Sequence, residues 1–415
     1  MIIKPFRGLR PLPQYVEQVA SRPYDVVSIA EARQEVAANP RSFLNVVVPE
    51  AGLPADIDPY SDEVYRTSLK NFEQLLSDGV FRQDAQDCLY LYELTMNGRS
   101  KDGLVACVAV EDYLQQRIKK HELTRPDKEN DRKNHIRVSM LNAEPVMFTY
   151  KAVAELDAQI NALKTAIKPV YDFTADDGVR HCFRVLDDAA TIAAIVQAFA
   201  AIPTGYVADG HHRTAAAALV QAELRAANPR HRGDEPYNYF LAAFFPDRQL
   251  HIMEYNRLVK DLNGLTADEF LAKLDKVFIV EKISNADKPQ NPRELSMYLA
   301  GDWYRLTARD DIRDEDDPIE ALSVSMLSRY ILQPLLDIHD LRRDRRIEFV
   351  GGIHGLQQLQ NRVDNGEMAL AFALYPVSMQ QLLAIADKQL ILPPKATWFE
   401  PKLRSGLIVH SLRQG

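Results

Sequence analysis

The stretch YVADGHHRTAAAALVQAELRAA, Tyr206 to Ala227, constrains the fold more than any other part of the chain. Its apolar start reads as the end of a strand, its alanine-rich remainder as a strong helix, and five polar or small residues, DGHHR, join the two. A strand passing through a tight turn into a helix belongs to α/β architecture. Such a turn exposes the first N–H groups of the helix, which have no intrahelical acceptor and carry the positive end of its dipole. Gly210 lets a ligand approach the backbone closely, and Asp209 can cap the helix or bind a polar ligand. His211, His212 and Arg213 bring donors to the same spot, Arg213 with a planar fork that grips phosphate. The combination suits a phosphate or another anion. A purely structural reading makes Asp209 a helix cap, with one histidine buried and one exposed. A histidine-based zinc site fits poorly, because adjacent histidines point apart whereas helical ligand pairs sit at i, i+3 or i, i+4.

Composition narrows the remaining choices. The 415 residues are 46% hydrophobic and 26% charged, the balance of an ordinary globular chain of several domains. No apolar run approaches the roughly 20 residues that span a bilayer, and the start, MIIKPFRGLRPLP, has no secretory h-region. A cytoplasmic protein without a membrane partner is the expectation. Fifty basic against 58 acidic residues, a net charge of −8, provide no global basic field for DNA. Cys88, Cys107 and Cys182 are too few and too widely spaced for a disulfide framework or a cysteine-rich zinc site.

The pattern predicts strands at Val46–Val48, Leu89–Leu94, Gly103–Val110, His181–Val185 and Ala369–Leu374, with YNYFLAAFF and LHIMEYNRLV as two more. Helices are expected over Asp62–Leu76, Val153–Ile167 and Ala189–Ala201. Tyr113, Leu114, Ile118 and His121 fall at helical spacing, and Pro126 should break any helix in the charged stretch that follows, leaving a helix end, a loop and a second helix start. RDDIRDEDDP, Arg309 to Pro318, reads as a linker. Three regions are expected: an N-terminal α/β region over 1–100, a core over 101–258, and a C-terminal α/β region with a docking tail over 259–415.

A second constellation is IKKHELTRPDKENDR, Ile118 to Arg132. Here His121 and Glu122 stand among Lys119, Lys120, Arg125, Lys128 and Arg132, cations able to hold a phosphorylated ligand, with Glu122 the candidate base. A solvated helix end with ion pairs is the structural alternative. HELTR lacks the second histidine of HExxH, and GxSxG, GxxxxGK[ST] and GxGxxG are absent, which argues against a zinc protease, a serine hydrolase, a P-loop kinase and a dinucleotide dehydrogenase. PYDVVS offers Tyr24 and Asp25. The tail PPKATWFEPK offers Lys395 and Lys402, with docking over the core as its alternative role.

PYDVV, IKKHELTRPDKENDR, YVADGHHRTAAA and LPPKATWFEPKLRSGL, in that order over nearly the whole chain, resemble the bacterial and archaeal family labelled domain of unknown function 1015. The HE and DGHHR elements in the middle of the chain also resemble those of free-serine kinases of the ParB/sulfiredoxin fold. That resemblance implies an α/β, mixed α+β protein with a ParB/sulfiredoxin-like core and flanking α/β regions. It makes Glu122 the base with His121 beside it, and Asp209, Gly210, His211, His212 and Arg213 the phosphate- and serine-binding turn. Lys119, Lys128 and Arg132 are further phosphate contacts. The chain departs from the family at Asn256, where a histidine is frequent, and at Ala396, where a serine is usual.

The function so implied is phosphoryl transfer to or from a small hydroxyl compound, free serine or phosphoserine, in the kinase or the phosphatase direction. Mg²⁺ and ATP or ADP are the expected cofactors, and a small molecule and a nucleotide the expected partners. The alternative is a ParB-like nucleotide-binding regulator without turnover; the acidic balance and the lack of a basic recognition helix argue against DNA. A sulfiredoxin-like redox role would want a cysteine at the turn, where Gly210 stands.

Overall fold

The computed structural model describes residues 1–312 and 316–413. Residues 313–315 of the expected linker lie outside the described residues. The chain forms two compact units. Unit 1 comprises Met1–Lys120, Thr124–Leu250 and the segment from Pro401 onward; unit 2 comprises His121–Leu123 and His251–Glu400. The fold class is mixed α/β, as expected.

Unit 1 is built on a nine-stranded mixed sheet. Its strands are β1 (Ile3–Lys4), β2 (Leu89–Met96), β3 (Arg99–Ala109), β4 (Ile118–Lys119), β5 (Val146–Tyr150), β6 (Tyr171–Thr174), β7 (Arg180–Leu186), β8 (Gly205–Asp209) and β9 (Tyr239–Pro246). The order is β4-β8-β5-β9-β3-β2-β7-β6, with β1 beside β3. Two pairs, β8 with β4 and β9 with β5, are parallel, and the other pairs are antiparallel. Alternation along the strands assigns the two faces. Leu89, Leu91, Leu104, Ala106, Val108, Phe148 and Phe244 pack with Leu156 and Ile160 of helix Ala154–Ala166 and with Ile195 and Phe199 of helix Ala189–Ala200. The intervening residues Tyr90, Tyr92 and Phe183 form an aromatic row on the other face, Tyr90 stacked on Phe183 and Tyr92 edge-on to it.

The C-terminal segment returns across unit 1. Ser405 exchanges backbone hydrogen bonds with Ser21, and Val409 with Leu9. Gly406 sits at φ +85°, where a Cβ would come within 2.7 Å of the Phe43 ring, so a larger residue could not pass there.

Unit 2 holds a six-stranded antiparallel sheet in the order Phe278–Ile283, Asp302–Ala308, Glu294–Leu299, Leu370–Leu374, Tyr255–Val259, Ile347–Gly351. Leu258, Tyr298, Trp303 and Ala371 pack there with Leu359 of helix Gly355–Asp364.

Several sequence expectations need correction. Val46 and Val47 lie in the short helix Leu44–Val47, not in a strand. They are fully buried with Phe43 and Phe72, and burial outweighs β-branched preference. The helix after β3 covers only Val110–Leu114. Gln116 at φ +58° ends it, and Ile118 enters β4 opposite Gly205. The second helix start expected in the charged stretch is present, by contrast: helix Pro126–Ser139 begins at Pro126, in the N1 position where its missing N–H costs nothing. LHIMEYNRLV is two strands, His251–Met253 and Tyr255–Val259, in different sheets. The region boundary expected at 100/101 falls inside β3, whose Ser100 pairs with Thr95, and that at 258/259 falls inside Tyr255–Val259.

Candidate functional site

The DGHHR turn forms as its residues dictate. β8 ends at Asp209, Gly210 takes φ +98°, and helix α1 (His211–Ala227) begins directly after it. A Cβ on Gly210 would meet both the Arg213 guanidinium and Val146 at 3.2 Å. The glycine therefore supplies both the backbone conformation and the space into which Arg213 folds. The N-cap is Gly210, and no side chain caps the helix. Asp209 does not cap it: its carboxylate accepts a 3.0 Å hydrogen bond from Lys402 Nζ. Burial alone would raise the Asp209 pKa, but Lys402 and Arg213 outweigh it and hold the carboxyl ionised, well below the usual range.

Arg213 is buried. Its Nη1 donates to the Pro145 carbonyl at 2.8 Å, and its Nη2 lies 3.9 Å from the Asp25 carboxylate. Burial opposes its charge, yet Glu144, Asp25 and Asp209 together more than compensate and raise its pKa. Among the described residues its Nε has no hydrogen-bond acceptor. Glu144 accepts from Ser405 Oγ at 2.7 Å and from the Tyr24 N–H at 3.3 Å. Burial raises its pKa, with Arg213 opposing. Burial also pulls the His211 pKa down to about 3 against the pull of Asp209, so at neutral pH this ring carries no charge. The positive character of the turn comes from Arg213 and the open helix end.

The second constellation divides. Lys119 lies in β4, where it pairs with Tyr206 of β8. Lys128 and Arg132 lie on helix Pro126–Ser139. The Arg132 guanidinium is 2.8 Å from Asp131 and stands 4.1 Å above the centre of the Tyr24 ring. His121 and Glu122 belong to unit 2, where the His121 carbonyl accepts from the Leu392 N–H at 2.8 Å. Within unit 1 the structure thus gathers Asp209, Gly210, Arg213, Arg132, Tyr24, Asp25 and Lys402. Glu144 and Ser405 join them although sequence reasoning missed both. A lone Glu before a proline carries no signal, while Ser405 lay within the resembling tail motif.

Among the described residues no three His, Cys, Asp or Glu side chains are grouped to hold a metal ion. The three cysteines are free and buried, and burial pushes the Cys88 thiol up to about 11, which leaves it inert at neutral pH. Among the described residues no helix is long and apolar enough to cross a membrane.

The architecture places the protein in the mixed α/β class. The chain belongs to the family DUF1015, described as a protein of unknown function, whose model matches residues 3–325. Among solved structures it is similar to a conserved hypothetical protein from Pyrococcus furiosus, at 10% identity and TM-score 0.36, covering 73% of this chain and 95% of the other. A free serine kinase in complex with AMP matches at 10% identity and TM-score 0.35, over 73% and 91% of the two chains. SbnI from Staphylococcus aureus, with a C-terminal truncation, matches at 13% identity and TM-score 0.38, over 75% and 89%. Likeness this loose carries no functional argument. No curated protein matches the chain.

Proposed function

We propose that the protein transfers a phosphoryl group between a nucleotide and a small hydroxyl compound, with free serine or phosphoserine as the preferred pair. One observation carries this reading. The buried Arg213 has a donor, Nε, without an acceptor among the described residues, beside an uncapped helix N-terminus at a glycine turn. A buried donor left unsatisfied costs free energy that an anion would recover. The HE and DGHHR motifs support the choice of chemistry, since they resemble those of free-serine kinases.

In the kinase direction the serine Oγ attacks the terminal phosphorus. The new Oγ–P bond forms as the bridging P–O bond breaks, and the shortened nucleotide leaves. Glu122 is the proposed acceptor of the hydroxyl proton. Arg213 and the helix N-terminus neutralise charge on the phosphoryl oxygens, which is most of what such a reaction asks of a protein. Mg²⁺ needs only one or two carboxylates when phosphates supply its other ligands. The exposed Asp25, near Arg213, has the chemistry for that part.

Phosphorus NMR of the full chain with Mg²⁺, serine and ATP or ADP, and in reverse with phosphoserine with and without ADP, tests the reading. Phosphoserine formed from serine, or ATP formed from phosphoserine and ADP, is the expected result, abolished by Glu122→Gln. No turnover in either direction would overturn the proposal.

A further inference from the structure

A hollow of about 360 Å³ opens in unit 1 beside the turn. Three separate stretches build it: Tyr24 to Ile29, Val47 to Tyr60, and Lys128 with Arg132 on helix Pro126–Ser139. Val27, Val48, Ile57 and Pro59 give it an apolar wall, and Arg33, Glu50 and Asp131 join Lys128 and Arg132 on its polar side. Each of its two tyrosines carries a cation: Arg132 lies 4.1 Å from the Tyr24 ring centre and Lys128 5.9 Å from that of Tyr60. Tyr60 and Ile29 are 47% and 45% exposed, so two large apolar side chains are left to water at one hollow. Arg132 also lines the smaller cavity formed with Glu144 and Arg213, so the hollow and the turn share a wall.

The hollow has the size of a ligand site, with an apolar wall on one side and charged groups on the other. Serine has almost no apolar body and would leave it unfilled. A nucleoside base has two apolar faces for the tyrosine and the aliphatic wall, and it is tied to phosphates that need cations a short way off. We infer that this hollow holds the nucleoside base of the phosphoryl donor or acceptor, stacked on Tyr60, with its phosphates running past Arg132 toward Arg213. The inference rests on the phosphoryl-transfer reading above and names its second substrate.

Calorimetric titration of the full chain with Mg²⁺ tests it, using ADP, GDP, CDP and UDP in parallel with inorganic tripolyphosphate. The variants are Tyr60→Ala and Ala55→Trp. Ala55 is exposed on the rim, so a tryptophan there fills the hollow without entering the core. Both variants should bind the tightest nucleotide at least tenfold more weakly and tripolyphosphate as the wild type does, because a stacked base is lost while phosphate contacts remain. Nucleotide affinity unchanged in either variant, or an equal loss for nucleotide and tripolyphosphate, would overturn the base site alone. Failure of wild type to bind any of these compounds would overturn the phosphoryl-transfer reading as well.

Discussion

Arg213 in unit 1 and Arg257 in unit 2 are both buried arginines, and their surroundings are opposite. Arg213 faces the carboxylates of Glu144, Asp25 and Asp209, which raise its pKa in spite of burial, and its Nε is left without an acceptor among the described residues. Arg257 is fully buried, and burial pulls its pKa down to about 9. Among the described residues it makes no ion pair; its Nη2 donates to the Pro394 and Lys395 carbonyls at 3.2 and 2.9 Å. Its guanidinium lies 4.5 Å from the ring centre of Phe349, its cross-strand partner. The neighbouring Asn256, a departure from the family pattern, accepts from the Leu374 N–H at 3.0 Å. Arg257 too keeps its Nε without an acceptor among the described residues, so the difference lies elsewhere: one cation is held by acids. The other is spent tying a loop to a strand. Neither burial nor an open Nε separates the two arginines, since both have each; the carboxylates around Arg213 do.

The largest effect that would sharpen this contrast is on turnover. Arg213→Ala should lower the rate about a thousandfold, whereas Arg257→Met should leave it within a few-fold; phosphorus NMR time courses of both measure the split. Equal losses would erase the contrast. Next in size, Arg257→Ala should cost unit 2 about 3 kcal/mol in urea unfolding, from lost packing and three unpaired carbonyls, those of Tyr255, Pro394 and Lys395.

A third prediction concerns acid. Burial, helped by Arg132, lowers the His135 pKa to about 4, and burial does the same for His410. Both lie in unit 1. The unfolded chain takes up these protons near pH 6.5 and the folded chain resists, so stability is lost as pH falls from 6.5 toward 4. Each histidine contributes up to about 1.4 kcal/mol per pH unit in that window. His135→Phe should flatten the slope by that amount in denaturation curves between pH 7 and 5. An unchanged slope would show that His135 titrates normally. The smallest effect is Gly210→Ala, expected to cost about 1 kcal/mol for the left-handed backbone, with weaker phosphate binding because the new Cβ crowds Arg213.

The turn was legible in the sequence because everything that shapes it is local: a strand, a glycine and a strong helix former within a few residues. Its partners were not. Asp25, Glu144 and Lys402 reach Asp209 or Arg213 from sequence separations that no periodicity reports, and only PYDVV and the tail hinted at two of them. The failures at Val46–Val48 and at Ile118 have one cause. Short apolar runs take the form that tertiary burial offers, a helix among phenylalanines in one case and a parallel strand beside β8 in the other.

The return of the tail to unit 1 sets an order of events during synthesis. Residues 251–400, all of unit 2's main segment, emerge between Leu250 and Pro401. At 5–20 residues per second the ribosome needs roughly 8–30 s to make those 150 residues. Throughout that interval Glu144 waits for Ser405 and Asp209 for Lys402. A nascent chain therefore carries a turn whose Asp209 and Glu144 still lack these partners until the tail has been made.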